Sequence, residues 1–244
     1  MKKWKRWGAN LLVNIPIMLL SLTCIFPVVW LLYSSLKTDV EFARSPISLP
    51  AVPNFSNYVT AFQRASFGTF TFNSVFNSII SLVLVLVISF TLGYLLSRYR
   101  FRGRNLIYGV LMAAMMVPIY ALIVPLFIQE KKIGILNSRW SLIPVYVAME
   151  LPMSVFLIDS YMQGISIDME EAAAIDGAGL LKTMFIIMMP LCKPILSTVV
   201  ILTFMHVWNE FAFAQVLISQ ESLKTIPIGL TYFTSQYMTS YTLL

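Results

Sequence analysis

Apolar residues run in long blocks along this chain, separated by short polar stretches. Crossing a bilayer takes roughly 20 apolar residues, and about five blocks reach that length. They predict spans at about Leu11 to Leu36, Asn73 to Ser97, Leu106 to Ile128, Trp140 to Met162 and Pro194 to Ile218. Prolines sit inside several of them: Pro16 and Pro27 in the first, Pro118 and Pro125 in the third, Pro144 and Pro152 in the fourth. Membrane helices tolerate proline where neighbouring helices or water satisfy the freed carbonyls. The pattern therefore predicts kinked helices around a cavity more than a straight bundle. Residues 37–72 separate the first two spans. Pro46, Pro50 and Pro53 favour an extended chain there, and NFSNYVTAFQRA predicts a short amphipathic surface helix. Residues 128–138 read as a short turn. The tail from Ser219 carries Pro227 and the aromatics Tyr232, Phe233, Tyr237 and Tyr241. Aromatic residues gather at membrane interfaces, so a sixth span is expected beyond Leu244.

One polar interruption is too patterned for a plain loop. Asp168 to Pro190 reads DMEEAAAIDGAGLLKTMFIIMMP. Asp168 with Glu171 three residues later has the form of a capping box, which predicts a helix starting there. Glu170 and Glu171 in its first turn complement the helix dipole. Gly177 and Gly179 loosen or end it. A second helical run, Leu180 to Met189, is expected to stop at Pro190.

Composition sets the class. The chain of 244 residues is 58% hydrophobic and 11% charged, against roughly 45–50% and 25% in soluble domains. With a mean hydropathy of +0.79, the expected fold is an all-α, polytopic membrane helix bundle. Residues 1–10 form a basic N-terminus, and 11–244 form a single transmembrane domain. The stretch from Trp7 to Leu36 is uncharged, which is longer than the roughly 7–15-residue core of a cleaved signal. The first span is thus read as uncleaved.

Net charge changes the orientation, not the class. The net charge is +6, and Lys and Arg mark the cytoplasmic side of membrane proteins. Lys2, Lys3, Lys5 and Arg6 put the N-terminus inside, and the short loop RYRFRGR at 98–104 agrees. The loop 163–193 is then cytoplasmic and the loop 37–72 extracytoplasmic. No basic run is interleaved with aromatics in a soluble segment, so nucleic acid is not an expected partner. Cys24 and Cys192 lie on different apolar segments and suggest neither a metal cluster nor a disulfide. There is no phosphate-binding G-x-x-x-x-G-K-[ST] and no G-x-S-x-G, so no ATP site and no hydrolase is expected.

Ionisable groups inside spans are pathway candidates by default. Glu150 lies mid-span beside Pro152. His206, Asn209 and Glu210 lie on the fifth span, and spacings of three and four residues predict His206 and Glu210 on one face. Polar groups near aromatics suit sugar hydroxyls. Hydrogen bonding between helices is the alternative for each of them. Met112, Met115 and Met116 are candidates to line a flexible cavity.

Glu171-Ala172-Ala173, Gly177, Ile187 and Pro190 fit the spacing E-A-A-x3-G-x9-I-x-L-P, with Met189 in place of Leu. This resembles the signature of the membrane subunits of bacterial ABC importers. EEAAAIDGAG, Trp208-Asn209-Glu210-Phe211 and PNFSNYVTAF at 53–62 resemble the carbohydrate, maltose-permease-like branch. The resemblance covers nearly the whole chain and implies a carbohydrate importer in the bacterial plasma membrane. It implies a second permease lining the path, two ATP-binding subunits carrying ATP and Mg, and an extracytoplasmic solute-binding protein. The chain itself would bind no cofactor. The helix from Asp168 would seat in an ATPase subunit. Ala172, Ala173 and Gly177 allow close approach, and Glu170, Glu171 and Asp176 offer charge-assisted contacts. A stand-alone secondary transporter or channel is the alternative, though no paired broken helices or inverted repeats are visible.

Overall fold

The computed structural model describes the backbone of residues 2–64 and 66–233 and the side chains of 14–62 and 66–233. Tyr237, Tyr241 and the expected sixth span lie outside these residues. Among the described residues every regular element is helical. They divide into two compact units, one of residues up to Phe67 with the stretch from Leu230, the other Gly68–Gly229.

The first unit holds α1 (Lys2–Ser34), α2 (Asp39–Arg44) and α3 (Ser56–Arg64). α1 runs through Pro16 and Pro27 as one helix. The loop after it is built, not merely extended. Lys37 is fully buried, and its ammonium donates to the carbonyls of Ser45 (2.8 Å) and Pro46 (3.1 Å). It also lies over the rings of Tyr33 and Phe42. Such contacts replace the water that a buried charge has lost. Trp30 and Tyr33 on α1 donate to the carbonyls of Pro46 and Ile47, and Asn57 on α3 donates to those of Ser35 and Lys37. The surface helix expected from NFSNYVTAFQRA is α3.

The second unit carries the candidate site. It contains α4 (Phe67–Arg98, from Gly68), α5 (Arg104–Ala114), α6 (Ile123–Ile133), α7 (Leu142–Met162) and α8 (Asp168–Ile175). α9 (Leu180–Lys182), a π-helical segment Thr183–Met188 and α10 (Met189–Leu191) follow without a break. Then come α11 (Lys193–Asn209), α12 (Ala212–Leu217) and α13 (Ile226–Leu230). Asn14–Ser34, Phe67–Arg98 and Leu142–Gln163 are long and apolar enough to cross a membrane.

Two predicted spans are broken. The third bends by 98° between Arg104–Ala114 and Ile119–Ile133. Pro118 cannot donate to a helical ladder and pushes Val117 away from helical geometry, so the chain turns there instead of kinking. The fifth ends at Asn209, not Ile218, because Glu210 is extended (ψ 127°). The run from Leu180 does not stop at Pro190 but continues to Leu191, and the 80° bend follows before Lys193. The wide π turn shifts the hydrogen-bond register just before Pro190, which has no N–H to contribute.

Two buried clusters hold this unit together. Val85, Phe90 and Tyr94 of α4 pack with Ile158 and Met162 of α7, Met184, Met188, Cys192 and Val199. Leu142, Val145 and Tyr146 of α7 pack with Val207, Phe213, Ala214 and Leu217. α7 and α11 contribute to both. α4 approaches α7 closely at Gly93, where a Cβ would lie 2.7 Å from Ile158 Cγ2. A buried polar row, Asn73, Ser74, Asn77, Ser78, Ser81 and Ser89, runs along α4. Such small residues allow close packing of membrane helices. Asn73 at its start donates to the carbonyls of Ser222 and Lys224.

Candidate functional site

α8 lies between the spans α7 and α11. The helix begins where the sequence predicts, but Asp168 is not its cap. Asp168 occupies the first helical position, and its N–H donates to Ser166 Oγ at 3.3 Å. The tight turn after α7 brings Ser166 there first, and the Ile167 carbonyl accepts from Glu170 and Glu171. The end is a paired cap: Ala178 donates to the Ala173 carbonyl and Gly177 to that of Ala174. Gly177 has φ +75°, which disfavours any side chain.

The faces of α8 differ. Asp168, Glu171, Ala172 and Asp176 are exposed, as is Ile175 (86%). Ala173 is buried against the unit. Glu170, grouped by sequence with the partner-facing acids, turns inward. It pairs with Arg98 Nε at 2.5 Å, and Tyr94 Oη donates to its other oxygen at 2.8 Å. Ile187 on the π segment is half-buried and Pro190 is exposed.

The structure brings Glu150 and His206 together: His206 Nδ1 lies 3.1 Å from Glu150 Oε1 across α7 and α11. The shared face expected for His206 and Glu210 does not form, because α11 ends between them. Glu210 instead accepts from the N–H groups of Phe213 and Ala214 at 2.8 and 3.1 Å, closing the first turn of α12. Asn209 is exposed and bonds back to the Met205 carbonyl. Among the described residues no His, Cys, Asp and Glu cluster could hold a metal.

Residues 86–244 match the family described as the binding-protein-dependent transport system inner membrane component. This chain belongs to that family. The permease is 36% identical to the diacetylchitobiose uptake system permease of Streptomyces coelicolor, over 90% of this chain and 72% of that one. It is 33% identical to the arabinooligosaccharides transport system permease of Bacillus subtilis, over 93% and 82% of the two chains. It is 32% identical to the trehalose/maltose transport system permease of Thermococcus litoralis, over 92% and 81%. These relatives put it in the carbohydrate branch of the ABC importer permeases. A crystal structure of a bacterial ABC transporter involved in the import of the acidic polysaccharide alginate shares the fold. The TM-score is 0.81 at 23% identity, covering 100% of this chain and 90% of that one. The permease is accordingly a non-catalytic, multi-pass component of the inner membrane.

Several residues of the permease escape a linear reading. Arg98 and Tyr94 gain their meaning only from Glu170. Glu130, at the end of α6, is buried and accepts from Ser141 Oγ. Asp159 is buried on α7 beside Gln163, 2.9 Å away. Asp159 is an acid within an apolar stretch, the same signal that singled out Glu150, whereas Glu130 stands among Gln129, Lys131 and Lys132, where the sequence carries no such signal. Glu130 also lines a cavity of about 620 Å³ with Gln129, Met115, Met149, Met153 and Phe213. Of the three methionines expected at a cavity, Met115 lines this one. Met116 is 84% exposed.

Proposed function

We propose that this permease forms, with a second similar permease, the translocation path of an ATP-driven carbohydrate importer, and that its substrate is an oligosaccharide. α8 docks into an ATPase subunit and carries the motion of ATP binding and hydrolysis into the spans. ATP and Mg belong to two such subunits, and an extracytoplasmic binding protein delivers the sugar. The N-terminus and α8 then lie in the cytoplasm, in line with the basic residues of 2–6 and 98–104.

The observation that carries this reading is the exposed face of α8. Glu171, Ala172 and Asp176 present small and acidic side chains on a capped helix between two spans. Small residues admit a partner's backbone, and carboxylates there suit Arg or Lys of that partner. The saccharide names of the relatives support the substrate class. Glu150, near the middle of α7, and His206, in the last turn of α11, supply the polar groups that sugar hydroxyls require.

The test is to purify the chain with its neighbouring subunits and measure which sugar stimulates ATP hydrolysis and enters proteoliposomes. Retention of ATPase subunits, with their loss in Glu171→Lys, is the expected result. Sugar flux through the chain alone, without any ATPase, would overturn it in favour of a stand-alone transporter.

A further inference from the structure

α8 is joined to the spans through two short turns that contain glycine. The turn before it contains Gly164, and the one after it contains Gly177 and Gly179. A push on α8 transmitted only through such turns would be absorbed by backbone rotation. The turn is also 70 residues or so from α4 along the chain, so no covalent path takes the push there directly.

The side chains close that gap. Arg98 ends α4 and makes two ties at once: its Nε pairs with Glu170 Oε1 at 2.5 Å, and its Nη2 donates to the Ile165 carbonyl at 2.8 Å. Tyr94, one turn earlier and fully buried, donates to Glu170 Oε2 at 2.8 Å. The Arg98 and Glu170 side chains are only 9% and 12% exposed. A charge pair that is screened from water and held by a second donor is stiff, and removing one partner leaves the other charge uncompensated. Glu170 and Ala173, three residues apart, lie on the inward face, while Glu171 and Ile175 point away. One short helix thus separates a face fastened to the unit from a face left free.

We propose that Glu170 is a positioning residue: with Arg98 and Tyr94 it locks α8 to the end of α4, so that a displacement of α8 moves α4 as one lever. This rests on the reading of α8 as the docking helix, and it assigns Glu170 to the permease's own interior and not to the ATPase contact.

Two measurements test it, in the assembled transporter and in the permease alone. Spin labels at Met169 (on α8) and Arg100 (just past α4) are each paired with one at Ser219, an exposed reference. Their distances are read before and after adding Mg and a non-hydrolysable ATP analogue. In the wild-type complex both distances shift. In Glu170→Gln and Arg98→Gln the shift at Met169 stays and that at Arg100 is lost. Tyr94→Phe reduces it, and exchanging the charges (Glu170→Arg with Arg98→Glu) restores part of it. A full shift at Arg100 in Glu170→Gln and Tyr94→Phe overturns the lock, as does loss of the ATPase subunits from Glu170→Gln, which would make Glu170 a docking residue. In the permease alone, trypsin cleavage at Lys182 is expected to quicken about tenfold in Glu170→Gln, as α8 is released. An unchanged cleavage rate overturns the lock even if no ATPase subunit is retained by the wild-type chain, an outcome that would instead sink the docking reading.

Discussion

Tyr146 Oη donates to Glu210 Oε2 at 3.0 Å, joining α7 to the break between α11 and α12. The same carboxylate caps α12 through Phe213 and Ala214. One side chain therefore fixes the point at which the fifth predicted span stops being a straight helix.

Glu210→Ala is expected to lower the unfolding midpoint in detergent. Losing a cap costs about 0.5–2 kcal/mol, and Tyr146 would lose its acceptor as well. Glu210→Gln keeps one acceptor oxygen and should fall between. Equal midpoints for Glu210→Ala and wild type would show that the cap contributes nothing.

The pair of Glu150 with His206 is weaker as a structural tie, because the His206 side chain is 65% exposed. A double-mutant cycle of Glu150→Gln and His206→Ala should give a stability coupling of about 0.2–1 kcal/mol. Sugar uptake should fall further than that: about tenfold or more in Glu150→Gln if the carboxylate meets sugar hydroxyls. Wild-type uptake in both single variants would remove the pair from the pathway.

Glu171→Lys is expected to leave the unfolding midpoint unchanged within about 0.5 kcal/mol, since the side chain is exposed. It should nevertheless abolish uptake and the retention of ATPase subunits in pull-downs. Uptake at wild-type level with those subunits retained would contradict the docking role.

Gly177→Val places a branched side chain at φ +75°, a conformation that costs about 1–3 kcal/mol. Space is not the obstacle, because nothing lies within 4 Å of a Cβ there. Gly177→Asn, which tolerates left-handed geometry, should recover most of the uptake that Gly177→Val loses. Equal loss in both would point to a steric contact with a partner instead.

Gly93→Leu should be destabilising by roughly 1–3 kcal/mol or more, as overpacking is in a filled interior. Ile158 Cγ2 stands 2.7 Å from where the Cβ would be. Insertion yield and thermal unfolding together report it, with Gly109→Leu as a comparison, where nothing lies within 4 Å.

The amino-acid pattern by itself determined the class. Long apolar blocks must be helical in lipid, because no water is present there to satisfy an open backbone. The acids, alanines and glycines between 168 and 179 likewise dictate a short capped helix with a left-handed exit, since these are local preferences of neighbouring residues. Position along the chain could not say which acids of that helix look inward. Glu170 and Glu171 are adjacent and alike in sequence, yet one meets Arg98 and Tyr94 and the other meets solvent. Their roles part only when α4 is packed alongside. Proline content predicted bending but not where it became a break: α1 and α7 run through Pro16, Pro27 and Pro152, while the chain turns at Pro118. His206 and Glu210 share a helical spacing, but Glu210 gains more from capping α12 and holding Tyr146 than from extending α11. Local sequence sets periodicity and caps. Which buried polar group finds which partner depends on residues more than 50 positions away, as between Glu150 and His206, and only tertiary packing decides that.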